Sequence, residues 1–189
     1  MKKLILLITM VSFTVQAQNL TVGSGKSWTV EKTGSVKIAG NLTNNGTFTL
    51  NSDADEFSSV IVDYDNNGSG SSTGNIDYNR YVNAVGTDEW DLIGSPLDAV
   101  SISTFVTANT TGTATLATNG SAYAVGEYDN ATDTWTNYTT STVGAAGNFD
   151  IGKGYQMASV DGGTGILKFT GTVASTTQTQ AIINNDAAN

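Results

Sequence analysis

The chain has 189 residues, 8 basic and 17 acidic side chains, a formal net charge of −9, no histidine, no cysteine and one proline. Without histidine there is no imidazole general base for a Ser-His-Asp or Cys-His arrangement, and without cysteine, zinc, haem and iron–sulfur sites lose their usual ligands. Carboxylate chemistry, oxygen-ligand metals and binding through aromatic and polar surfaces survive that exclusion, while the negative charge opposes nucleic acid and anionic membranes.

Residues 1–17 read as a secretory signal peptide. Lys2 and Lys3 form a basic start, Leu4 to Val11 an apolar core, and Val15-Gln16-Ala17 a small-residue cleavage site with the cut after Ala17. The apolar stretch is too short to span a bilayer, so no membrane insertion is expected and the protein is placed outside the cell or on the outer cell surface. Loss of the two lysines moves the formal charge from −9 to −11.

About a third of the residues are Ser, Thr or Asn, glycine is abundant, and runs at helical period are missing, which predicts an all-β chain of short strands and turns. In 18–65, apolar pairs two residues apart recur as Leu20/Val22, Trp28/Val30 and Val36/Ile38, with first members eight residues apart. The pattern continues through Leu42, Phe48/Leu50 and Val60/Val62, with the hairpin signal Asn45-Gly46 between Leu42 and Phe48. Such a period is shared by a β-meander and by the rungs of a small β-solenoid, and the solenoid-like version is preferred.

Residues 66–75 belong to a polar run without apolar side chains and read as a linker. From 76 to 173, strand-like runs centre on aromatic residues: Ile76 to Val82, Trp90 to Ile93, Ala122 to Tyr128, Thr134 to Tyr138, Gly154 to Ala158 and Ile166 to Phe169. Several such runs between turn residues predict a β-sandwich-like domain. Val100 to Val106 fits either a short helix, with Ile102, Phe105 and Val106 on one side, or another strand. The tail 174–189 is polar and weakly patterned, as at a truncated end.

Four motifs invite a chemical reading. Gly23-Ser24-Gly25-Lys26-Ser27 resembles the end of a phosphate-binding loop, but it runs into strand-like residues where a helix N-terminus is needed, so it reads as a turn. Gly70-Ser71-Ser72-Thr73-Gly74 spells a nucleophile elbow in a chain that has no histidine to take the proton. Asp63, Asp65 and Asn67 alternate oxygen side chains before Gly68 and form a weak calcium candidate, with an ordinary Asx-rich turn as the alternative. If calcium binds there, it raises the melting temperature over EDTA, and Asp63→Ala or Asp65→Ala removes the rise. An unchanged melt in millimolar calcium counts against the site.

The fourth motif is a set of acidic and aromatic residues. Asp88, Glu89 and Asp91 cluster around Trp90, and Asp129 and Asp133 flank the turn before Trp135. A glycosidase needs two carboxylates facing each other across a sugar, whereas turn and edge acids merely discourage aggregation. Trp90 and Trp135, with Tyr128, Tyr138 and Tyr155, form a stacking platform for a glycan if they are exposed and core if they are not.

The order of pieces Asn-Leu-Thr-Asn-Asn-Gly-Thr-Phe-Thr-Leu (41–50), Asn-Arg-Tyr-Val (79–82), Trp-Asp-Leu-Ile-Gly-Ser-Pro (90–96), Tyr-Asp-Asn-Ala-Thr-Asp-Thr-Trp (128–135) and Gly-Lys-Gly-Tyr (152–155) resembles the N-terminal region of large secreted or surface proteins of Bacteroidota exported by the type IX system. The resemblance covers nearly all of the chain after the signal peptide, and its motifs identify no active site. It implies further β modules and a C-terminal sorting domain in a longer parent chain, of which this sequence would be the front fragment. The resulting expectation is a non-catalytic extracellular β module with a structural, adhesive or domain-presenting role, whose partners are other domains of the parent and an extracellular glycan. A carbohydrate-binding module is the alternative, and a carboxylate glycosidase the third.

Overall fold

The structure is a computed structural model that describes residues 14–63, 69–86, 90–113, 115–130 and 132–179. Its first part is a parallel β-solenoid of three coils. The first coil comprises β1 (Thr14–Ala17), β2 (Leu20–Val22) and β3 (Ser27–Val30); the second β4 (Ser35–Ile38), β5 (Leu42–Asn44) and β6 (Thr47–Asn51); the third β7 (Ser59–Val62), β8 (Ser72–Thr73) and β9 (Ile76–Tyr81). Each coil gives one strand to each of three faces, β1-β4-β7, β2-β5-β8 and β3-β6-β9, and every pairing among these is parallel. The eight-residue spacing read from sequence is therefore the step from one face to the next. The full coil is longer: Leu20 pairs with Leu42 and Ser27 with Thr47 from the first coil to the second, and the next step is longer still, since Ser35 pairs with Ser59 and Leu42 with Ser72.

Parallel stacking puts like above like, about 4.8 Å apart, so the inward side chains form columns. Val36 and Ile38 lie beside Val60 and Val62, and Val30 beside Leu50, which lies beside Tyr78. Trp28 stacks on Phe48 with centroids 5.4 Å apart and planes 10° from parallel. Asn45-Gly46 does not close a hairpin but turns the corner from β5 into β6. There Asn44, 7% exposed, accepts from Gly46 N–H and donates to the carbonyl of Asn75 in the coil above. The polar run around 66–75 contains β8, so parallel pairing continues through it. Thr14–Ala17, at the end of the expected signal segment, pairs with β4 as the outermost strand.

The third face is extended by β15 (Ile166–Gly171), antiparallel to β9. Everything between β9 and β15 is one excursion: β10 (Asp91–Gly94), α1 (Ile102–Thr110), β11 (Thr118–Asn119), β12 (Ala122–Asp129), β13 (Thr134–Thr139), a 3₁₀ turn (Val143–Ala145) and β14 (Gly154–Met157). Its strands make an antiparallel sheet with order β10-β14-β12, β13 on the far side of β12 and β11 continuing beside it. Of the two readings of Val100 to Val106, the helix is observed, with Ile102, Phe105, Val106 and Asn109 buried and Ser101 Oγ capping Thr104 N–H.

The fold is all-β with a single α-helix among the described residues, and one core runs through both parts. The layer facing the antiparallel sheet comes from the solenoid's own β9–β15 face. Phe169 of β15 lies 4.6 Å from Phe105 of α1 and 5.9 Å from Phe149, and Phe149 lies 4.8 Å from Tyr155 of β14. The open edge of β15 is closed by a side chain: buried Asn109 accepts from Lys168 N–H (2.8 Å) and donates to Lys168 C=O (2.9 Å).

Burial raises the pKa of Tyr78, Tyr138 and Tyr155. A folded state that holds phenol protons more tightly than the unfolded chain contributes stability below the unfolded tyrosine pKa of about 10, and loses it as pH rises through the folded values. Alkaline unfolding is therefore expected above about pH 10, with part of the tyrosinate absorbance appearing together with loss of the β signal. Smooth titration of every tyrosine with the fold intact would contradict this.

Candidate functional site

Directly paired residues, and residues two apart, share one side of a sheet. Registers Leu92↔Gln156, Gln156↔Gly126 and Gly126↔Asn137 define one row across the antiparallel sheet; Tyr128↔Trp135 and Gly94↔Gly154 lie on the same side. That side is the solvent face, because the intervening residues Ile93, Tyr155, Met157 and Val125 are core. Leu92 is 67% exposed and Trp135 43%. Gly126 has a structural reason: a Cβ there would strike Thr136 O and Asn137 Oδ1, the atom that folds over it to accept from Gln156 Nε2 at 2.6 Å.

Trp90 belongs to this face as well. It is 41% exposed and, with Asn137, Asn119, Ala122 and Tyr123, lines a hollow of about 210 Å³. The structure thus brings Trp90 and Trp135 to one surface, with the Asn137–Gln156 amide pair between them. Trp135 and Tyr128 are cross-strand neighbours 5.1 Å apart, with planes tilted by 54°, and Tyr128 Oη donates to Asp133 at 3.2 Å. The tilt makes a ridge, so the two rings do not offer one flat surface. Tyr155 is core at 1% exposure, and Tyr138 is half-buried, so neither joins the platform.

The other sequence candidates fall elsewhere. Asp63 is buried, with φ 55°, just after β7; Asp65 and Asn67, its partners in the calcium reading, lie outside the described residues. Asp88 and Glu89 also lie outside them. Asp91 accepts from Asn83 N–H (2.8 Å) and Asn83 Nδ2 (3.0 Å). It stands on β10, while Asp129 and Asp133 belong to the β12–β13 hairpin at the opposite edge, so the sheet does not bring these carboxylates face to face. Gly23–Ser27 is a turn, with Gly25 at φ 68° and β3 beginning at Ser27, and Ser72 of β8 accepts from Val173 N–H through its hydroxyl.

At the rim, Lys153 pairs with Glu127 and lies 5.4 Å from the Tyr155 ring centroid. Burial alone would lower the lysine pKa, but the Glu127 carboxylate outweighs it and raises the value, so the ammonium stays charged. Sequence reasoning missed the Asn137–Gln156 pair, which no spacing rule announces because β12 lies between their two strands in the sheet. The site is an exposed aromatic and amide face on an all-β scaffold built from a three-coil solenoid and an antiparallel sheet. No protein-family model, curated protein or solved structure matches the chain.

Proposed function

We propose that the chain is a non-catalytic extracellular β module of a secreted or cell-surface protein, in which a rigid coil carries an adhesive face and spaces it from neighbouring domains. The observation behind this reading is the solvent face of the antiparallel sheet: Trp90, Trp135 and Leu92 stand exposed on a sheet whose other side is packed into the core. Large apolar side chains held out by a rigid frame lose little entropy on contact with a partner. Adsorption to the surface of producing or neighbouring cells should fall at least fivefold in the double variant Trp90→Ala/Trp135→Ala, with an unchanged melt. Equal adsorption would remove the adhesive role.

A carbohydrate-binding module is the second reading, favoured by the amide pair beside the two indoles, since amides bond sugar hydroxyls while rings stack on the sugar's apolar face. Titration with soluble polysaccharides should shift tryptophan fluorescence, and Trp135→Ala or Trp90→Ala should weaken binding by about tenfold, equivalent to ~1.4 kcal/mol. Trp28, stacked on Phe48 in the coil, is the internal control. Silence across a broad glycan panel would exclude this reading and leave the first standing.

Export and a type IX-like surface origin belong to the same proposal. N-terminal sequencing of protein secreted by a Bacteroidota host should begin at Gln18. In that cleaved form β4 loses its parallel neighbour β1, while β2 and β3 remain.

A further inference from the structure

Arg80 is the single arginine of the chain, among seven lysines. It stands on β9 in the phase otherwise taken by buried Ile76, Tyr78 and Val82, opposite Leu167, where the alternation calls for an apolar side chain. All the ion pairs among the described residues use Lys32, Lys153 or Lys168. Arg80 instead places its guanidinium carbon 3.9 Å from the centroid of the Phe57 ring, and its Nη1 is buried without a hydrogen-bond partner among the described residues. Such an N–H carries an uncompensated desolvation cost, which marks the Arg80 guanidinium as held in place by its surroundings and not by an ion pair.

The guanidinium borders a cavity of about 160 Å³ whose walls include Phe57, Tyr81, Asn83 and Asp91. Arg80 and Asp91 line this cavity without forming an ion pair with each other. Asn83 occupies one lone pair on each Asp91 oxygen, at 2.8 and 3.0 Å, which leaves further acceptor capacity. A planar donor fork and an acceptor carboxylate therefore share one small space. A ligand satisfies both walls if it brings an acceptor pair to Arg80 and a donor to Asp91. The cavity lies well below the ~300 Å³ at which drug-sized pockets begin, so it admits one ring or a small acid rather than an extended chain.

We propose that this cavity binds a hydroxylated carboxylate, either a free hydroxy acid or the uronic-acid unit of an acidic glycan. The carboxylate accepts from the Arg80 fork, a hydroxyl donates to Asp91, and Phe57 covers the guanidinium. This assignment uses neither Trp90 nor Trp135, so it stands or falls separately from the glycan reading of the aromatic face.

A chain with one arginine gives one arginine Nε–H resonance in a ¹⁵N-labelled sample, and that resonance is the readout. Galacturonate and lactate are expected to shift it saturably, acetate more weakly, and galactose not at all. Response to lactate with none to galacturonate assigns the site to free hydroxy acids; tighter binding of galacturonate assigns it to acidic glycans. Arg80→Lys keeps the charge but not the fork and should weaken binding by about tenfold or more, followed at the Asn83 side-chain amide. Should that variant fold poorly, Asp91→Asn should weaken lactate but not acetate. No shift of the Arg80 resonance with either acid, or equal weakening of lactate and acetate in Asp91→Asn, overturns the proposal.

Discussion

Phe169→Ala is expected to remove about 3–5 kcal/mol of stability, a large share of the ~5–15 kcal/mol by which such a domain is stable. Phe169 has no exposed surface and touches Phe105 and Phe149, so truncation leaves a void bounded by other rigid rings that cannot collapse into it. The consequence reaches beyond β15, because this cluster joins the solenoid face to the antiparallel sheet. Urea unfolding should therefore show one transition in the parent and one earlier transition in the variant. Trp28 reports the coil, and Trp90 and Trp135 report the sheet. Separate midpoints for the two sets of reporters in the parent would show two independent units, and a loss below about 1 kcal/mol would place Phe169 outside the structural keystone.

Gly74→Ala is expected to cost about 3 kcal/mol or more, while Gly25→Ala costs about 1 kcal/mol, although both glycines occupy the left-handed region. Gly25 has φ 68° and open space where a Cβ would go, so alanine there meets only the backbone penalty. Gly74 has φ 80°, and its added Cβ would overlap the carbonyl oxygen of Asn44 in the coil below. Relief requires a backbone shift at the corner where Asn44 Nδ2 bonds Asn75 O at 2.5 Å, which unseats a buried amide as well. Denaturant midpoints of the two variants, measured with constant slope, test the difference. Equal midpoints would mean that the corner is loose.

The solenoid was legible in the sequence because stacking imposes a short, local rule. Leu20/Val22, Trp28/Val30 and Val36/Ile38 alternate to face one interior, and eight residues carry the chain from face to face. The length of the coil was not legible, since a pair such as Leu20 and Leu42 leaves no mark until the three-face geometry is known. Asn45-Gly46 satisfies both a hairpin and a solenoid corner, because each needs a tight turn. The polar stretch near 66–75 hid β8: a two-residue strand of Ser and Thr has no apolar periodicity, and only its parallel partner β5 defines it.

At the site, the sequence named Trp90 and Trp135 but could not show their exposure, which depends on which side of β10 and β13 meets the core. Tyr155, of the same residue class, went inward because it alternates with Gly154 and Gln156 on β14. Arg80 did carry a signal: a lone arginine in the apolar phase of Ile76-Asp77-Tyr78-Asn79-Arg80. An alternating strand makes a charge in that phase a departure, and here the departure lies beside a cavity.

The pairing of Ile166 with Tyr81 gives the excursion between β9 and β15 a further meaning. Its two ends are cross-strand neighbours, about 5 Å apart at their α-carbons, so they leave and rejoin the coil at nearly one point. A path of that kind is interchangeable in principle: a short hairpin turn could join Tyr81 to Ile166, and other inserts with equally close ends could be grafted at the same seam. The aromatic cluster around Phe169 limits such exchange, because a shortened chain must cover the surface that Phe105 and Phe149 now protect. The coil is then a chassis, and the excursion with its exposed aromatic face is the part that can change while the chassis stays the same.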